Sequence, residues 1–150
     1  MDQVQAIALA HDQLSLREGT SNVEFGAYLR SLCANIAPHE TRVMVEVEAN
    51  SAAMPLDRAV PAGLIVNELV TNAFKYAFDE NQDGLIRVAF TTSAQTGEAR
   101  ITVEDNGKGM GAPRKGGLGL ALIQALAQQL AGRVDREQPE RGTRTRAKTQ

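Results

Sequence analysis

Cysteine is nearly absent from the 150-residue chain. Cys33 stands alone, so no internal disulfide can form, and the sequence suits a reducing cytosol. Cys33 lies on an apolar stripe and reads as a core thiol, not a reactive one. The two histidines, His11 and His39, are far from Cys33 and from each other and offer no zinc-ligand spacing. Excess positive charge is also missing: 16 basic against 18 acidic residues give a net charge of −2. That balance argues against nucleic acid as a partner, which calls for a clustered basic face. Charges and amides interrupt the apolar runs, so no segment is expected to span a bilayer. Asp2 to Leu16 shows no leader pattern. Internal repeats and low-complexity linkers are lacking as well. With 43% hydrophobic and 23% charged residues, the composition is that of one soluble domain with a sizeable core.

The pattern along the chain predicts alternating helices and strands. Residues 2–16 read as a short helix with Val4, Ile7, Ala8, His11 and Leu14 on one side. Ser21 and Glu24 have capping-box spacing ahead of a second helix, in which Phe25, Tyr28, Leu29, Leu32, Cys33 and Ile36 recur until Pro38. Val43, Val45 and Val47 alternate with Met44, Glu46 and Glu48, a strand of period two. Asp57 is the expected cap of a central helix, with Pro61 in its first turn and an end near Phe78. Ile86, Val88 and Phe90, then Ile101 and Val103, form a hairpin turning around Gln95 to Gly97. A glycine-rich loop from Asn106 to Gly117 leads to a last helix that Gly132 stops. The tail, with Gly142-Thr143, predicts at most a weak edge strand. Amphipathic helices beside half-buried strands argue for an α/β fold: a two-layer sandwich with a mixed sheet and helices on one face.

Chemistry concentrates in two places. The central helix presents Glu68, Asn72, Lys75 and Tyr76 at i, i+4, i+7 and i+8, a stripe carrying carboxylate, amide, amine and phenol together. Taken alone, it also fits an ordinary solvated face. Downstream, Asp105 shares the parity of Ile101 and Val103 and should point into the same layer as those core residues. A carboxylate aimed into a core must be hydrogen-bonded or charge-paired, and a ligand bearing N–H donors would satisfy it. Gly117 and Gly119 sit where a helix begins, leaving backbone N–H groups open to an anion. Gly107, Gly109 and Ala112 nominally fit a dinucleotide fingerprint. Pro113, Arg114 and Lys115 then follow where that fingerprint needs a helix, and no acidic residue stands near the required distance. A P-loop is excluded because no Gly-Lys-Ser/Thr sequence occurs.

The combination is more specific than its parts. Asn67-Glu-Leu-Val-Thr-Asn72-Ala-Phe-Lys75-Tyr76, Asp105-x-Gly107-x-Gly109, Gly117-x-Gly119-Leu and Gly142-Thr143 occur in that order. Together they resemble the N, G1, G2 and G3 boxes of the sensor histidine kinase ATP-binding domain. That fold, called GHKL or Bergerat, is shared with DNA gyrase, MutL and the heat-shock chaperone ATPases. Ala8 to Ser15, Leu56 to Pro61 and Gly63 to Leu69 are similar to the HWE-type branch and its close relatives. The resemblance covers essentially the whole chain.

What the resemblance implies can be carried over residue by residue. ATP and Mg²⁺ would be the ligands, with Asn72 binding the metal through its side-chain oxygen. Lys75 would neutralise phosphate charge and Tyr76 would flank the nucleotide. Asp105 would accept from the adenine amino group, while Gly107 and Gly109 let the backbone pass close to the base. Gly117, Leu118 and Gly119 would start a helix beneath the phosphates, and Thr143 would lie near the adenine. Glu68 would polarise the attacking group or a water. The implied chemistry is phosphoryl transfer to a histidine on a separate acceptor helix, then to a response regulator, in a cytoplasmic bacterial two-component kinase. The parent would be dimeric and this domain would make no membrane contact. Residues 1–18 correspond to the end of the second dimerisation helix and residues 19–150 to the catalytic domain, so the acceptor helix is expected elsewhere. His11-Asp12 looks superficially like an acceptor site, but its surroundings match the downstream helix. The loop from Asn106 to Gly116 is short and lacks the family's phenylalanine. The alternatives are an ATPase or serine kinase on the same fold, or a non-catalytic phosphotransfer or docking module.

Overall fold

The computed structural model describes residues 4–5, 8, 22–38, 41–50, 52–93, 95–96, 98–108, 118–130, 132–137 and 142–149. A five-stranded mixed sheet runs in the order β2-β4-β5-β7-β6. Its strands are β2 (Val43–Ala49), β4 (Gly84–Thr92), β5 (Ala99–Asp105), β6 (Arg133–Glu137) and β7 (Thr143–Thr149). The pair β2–β4 is parallel and the other pairs are antiparallel. A separate antiparallel ribbon joins β1 (Asn22–Glu24) to β3 (Ala53–Pro55). Helices α1 (Phe25–Ile36), α2 (Leu56–Tyr76) and α3 (Leu118–Gln129) accompany the sheet among the described residues. The α1 and α3 helices both pack against α2. This is the expected α/β layering with helices packed on a mixed sheet.

Alternation along the strands explains the layering. Ile86, Val88 and Phe90 on β4 and Ile101, Val103 and Asp105 on β5 are buried under the helices. The opposite face is charged. In one register row Glu46 faces Arg87, Arg87 faces Glu104, and Glu104 faces Arg144. The Arg87–Glu46 contact is 3.7 Å, and Arg144 forks onto Glu104 at 3.1 and 3.2 Å.

Several local expectations need correction. Glu24 does not reach back from inside a helix to a Ser21 cap. It is itself the N-cap of α1, accepting from the Gly26 and Ala27 N–H groups at 3.0 and 2.7 Å. The same carboxylate accepts from Ala52 N at 3.3 Å, which ties the ribbon to the helix start. Pro55, not Asp57, caps α2; Asp57 lies in the first turn, where its charge favours the positive end of the helix dipole. Pro61 is the sixth residue of α2, beyond the first turn, and the helix continues through it. The tail, Arg133 to Gln150, supplies two strands: β6 is an edge of the sheet, as expected, whereas β7 lies inside it between β5 and β6. Its small and polar residues concealed a strand whose neighbours supply the hydrogen-bond ladder. The proposed first helix falls mostly outside the described residues, although Val4, Gln5 and Ala8 are helical and exposed. Cys33 is in the core, 2% exposed, and burial pushes its thiol up to about 12.

Candidate functional site

Asp105 closes β5 with its side chain turned into the helix-facing layer, 5% exposed, as its parity with Ile101 and Val103 requires. Its carboxylate accepts the Gly107 N–H at 2.9 Å and a second hydrogen bond from the Thr143 backbone. Burial raises its pKa above the ordinary 3.8; the two backbone N–H donors act in the opposite direction, and neighbouring Glu104 adds to the rise.

Two glycines make this corner possible. Gly107 lies so close to α2's end that a Cβ there would stand 2.1 Å from the Ala77 carbonyl oxygen. The same carbonyl accepts the Lys108 N–H at 2.9 Å, so the helix end and the loop are joined directly. Gly142 has φ +83°, and a Cβ on it would fall 1.8 Å from the Asp105 carbonyl oxygen. Thr143 therefore enters β7 directly opposite Asp105 in the strand register. Its hydroxyl is buried and has no hydrogen-bond partner among the described residues. Asn106 fixes the turn from outside: its side-chain oxygen accepts Leu85 N at 2.9 Å, and its own N–H donates to Leu85 O at 3.2 Å.

The structure thus brings together the end of α2, the Asp105–Gly107 turn and Gly142–Thr143. Tyr76, half-buried, precedes Ala77 at this junction. Asn72 and Glu68, also half-buried, lie one and two turns back along α2. Asn72 is five residues from Ala77, about 7.5 Å along the axis. Leu118 and Gly119 open α3, which packs on α2. Gly109, Gly117 and His11 lie outside the described residues. Lys75 is exposed and borders a cleft of about 640 Å³ on another side of α2, lined also by Arg42, Phe74 and Phe78. That cleft contains none of Asn72, Tyr76, Asp105 or Thr143. Size alone would favour it; the donor and acceptor chemistry favours the Asp105 corner. The roles of the Ala77 carbonyl and the Asn106 side chain escaped sequence reasoning, since a backbone acceptor leaves no residue signature.

The chemistry of the corner is recognition of a flat polar group. A buried carboxylate that retains its charge accepts hydrogen bonds only, and an unpartnered hydroxyl beside it can donate or accept. Among the described residues no cluster of three His, Cys, Asp or Glu side chains could hold a metal. A cation here would depend on an amide oxygen such as that of Asn72 and on oxygens brought by a ligand, an arrangement suited to Mg²⁺. No helix among the described residues is long and apolar enough to cross a membrane.

Known proteins resemble this chain in sequence and in fold. Over 144 residues the chain is 28% identical to blue-light-activated histidine kinase 2 of Erythrobacter litoralis, covering 89% of this chain and 41% of that protein. It is 26% identical to the sensor histidine kinase PdtaS of Mycolicibacterium smegmatis, covering 83% of this chain and 26% of that protein. The chain thus spans less than half the length of both relatives. Among solved structures, the Erythrobacter litoralis EL346 blue-light-activated histidine kinase matches with a TM-score of 0.85 at 26% identity, over 98% of this chain and 46% of that one. The histidine kinase domain of the same protein matches with a TM-score of 0.82 at 24% identity, over 98% of this chain and 72% of that one. Residues 1–39 match a family described as histidine kinase. Residues 57–150 match the histidine kinase-, DNA gyrase B- and HSP90-like ATPase model, and the chain belongs to that family.

Proposed function

We propose that this chain is the ATP-binding catalytic portion of a two-component histidine kinase, supplying the γ-phosphoryl group of Mg²⁺-ATP to a histidine on a separate acceptor segment. One observation carries the reading: the buried Asp105 carboxylate stands beside the orphaned Thr143 hydroxyl, at the end of the helix that bears Asn72. Adenine offers an exocyclic N–H donor for the one and ring nitrogens for the other. Gly107 and Gly109 let the base lie against backbone. Tyr76 flanks the nucleotide, and Asn72 supplies a side-chain oxygen for the metal. Lys75 neutralises phosphate charge when its flexible stem swings from the cleft toward Asn72. Gly117, Leu118 and Gly119 present the first amides of α3 to the phosphates. When bound, Mg²⁺ neutralises charge on the triphosphate. Glu68 orients the attacking group. Residues 1–18 are the end of a dimerisation helix in a dimeric cytoplasmic parent, and a response regulator receives the phosphoryl group in turn.

Calorimetric titration of ATP with and without Mg²⁺ tests the proposal. Wild type should bind more tightly with the metal, and Asn72→Ala should lose that gain, about tenfold or more in Kd. Absence of binding to the folded chain defeats the reading, as does an unaltered metal dependence in the variant. Transfer is read separately, as an acid-labile phosphohistidine on an added acceptor helix. ATP turnover by the chain alone, abolished in Glu68→Gln, would instead favour an ATPase.

A further inference from the structure

The helix-facing side of the sheet holds a second recess, at the end of β5 away from Asp105. Its floor is one register row: Phe90 on β4 opposite Ile101 on β5, and Ile101 opposite Ala147 on β7. All three are buried, at 0, 5 and 5% exposure. Ile101 and Asp105 are four residues apart on one strand, about 13 Å. The roof comes from other elements: Met54 of β3, Ala62 of α2 and Leu130 just after α3. Arg58 of α2 donates through Nη2 to the Leu130 carbonyl at 3.3 Å, linking the start of one helix to the end of the other beside the recess.

The recess measures about 150 Å³. It exists because inward positions that carry Ile, Val or Phe elsewhere in the sheet carry alanine at Ala99 and Ala147. Space of this size over an apolar floor accommodates a guest about as large as a single ring. Left empty, its walls lose the dispersion contacts that a filled core would make. The rim at Ala53, Pro55 and Thr92 is exposed, which gives a guest a way in.

We propose that this recess is a binding site for a small, uncharged apolar molecule, a single aromatic ring or a short aliphatic chain, separate from the nucleotide corner. Its floor favours an apolar guest, offering no donor or acceptor side chain, while Arg58 at the wall donates to the Leu130 carbonyl. An occupant would contact the ribbon, the first turns of α2 and the end of α3 at once.

The test is titration of toluene into the 150-residue chain, followed by thermal unfolding and by methyl NMR. A saturable rise in Tm of about 2 °C or more is expected, because a ligand bound only to the native state stabilises it by mass action. Shifts should centre on the methyl groups of Met54, Ile101, Leu130 and Ala147. Ala99→Leu, which fills the space from the half-buried start of β5, should fold and lose both responses. The proposal is overturned by an unsaturable or absent rise, by shifts centred on Val23 or Ile86, or by an undiminished response in folded Ala99→Leu. Should that variant fail to fold, the wild-type methyl shifts decide alone.

Discussion

Asp105 carries a measurable cost in the unliganded protein. Its native pKa is raised by burial, so protonation is easier in the folded chain than in the unfolded one. The sign follows by linkage: its favourable contribution is complete below the ordinary value of 3.8 and is lost as pH rises through the raised value. The Tm of wild type minus that of Asp105→Asn should therefore fall as pH climbs above the ordinary carboxylate range and level off beyond the raised value. On the proposed reading, ATP binding should weaken in the same variant, since one of the two acceptor oxygens becomes an NH2 group while the Gly107 and Thr143 N–H groups still need acceptors. Gly142→Ala is expected to cost about 1–3 kcal/mol in urea unfolding, because it combines a left-handed backbone with a clash against the Asp105 carbonyl. Asp105 was legible in the sequence from strand parity alone. The contacts that shape the corner around it, from the Ala77 carbonyl to Lys108 and from Asn106 to Leu85, were not, because contacts between backbone and loop depend on a tertiary approach that no periodicity encodes.

At the scale of elements, α2 is the structural centre. It is buried along most of its length between α1 and α3, and Gly63 marks where α1 comes closest. A Cβ at that position would lie 2.5 Å from the Tyr28 hydroxyl oxygen and 2.8 Å from its ring. Gly63→Ala should therefore destabilise by about 1–3 kcal/mol despite alanine's better helix propensity, as read by the denaturation midpoint. If stability rose instead, the α1–α2 packing described would be wrong. Long periodic elements such as α1 and α2 could be read from their apolar spacing. The three-residue strands β1 and β3 could not, since their pairing rests on the Glu24 carboxylate gathering N–H groups from both sides of the sequence. The short β6 and polar β7 were obscured in the same way, by neighbours far off in the chain.

Across the whole molecule, one row of the outer sheet face carries charges of alternating sign from β2 to β7. An exposed pair such as Arg87–Glu46 contributes little, about 0–1 kcal/mol, while the Arg144–Glu104 fork is half-buried. Reversing one member, as in Glu104→Lys, sets it against Arg87 and Arg144 in register. A loss of about 1 kcal/mol is expected in low salt, shrinking as ionic strength rises. The order of the sequence boxes was enough to forecast the layered fold, because each box lies at an element's end. It could not forecast the apolar recess, which arises from small residues that meet only when the sheet assembles.

The lone parallel pair in the sheet also bears on how the chain opens. Strand β2 meets β4 only after the chain has passed through β3 and all of α2, whereas β4 and β5 are joined by a short hairpin. Its far edge has no strand partner among the described residues. An edge strand closed by so long a connection is expected to open before the hairpin strands β4 and β5. Amide protons of Val45 and Val47 should accordingly exchange sooner than those of Val88 and Val103, while the Asp105 corner, built on β5 and β7, stays closed.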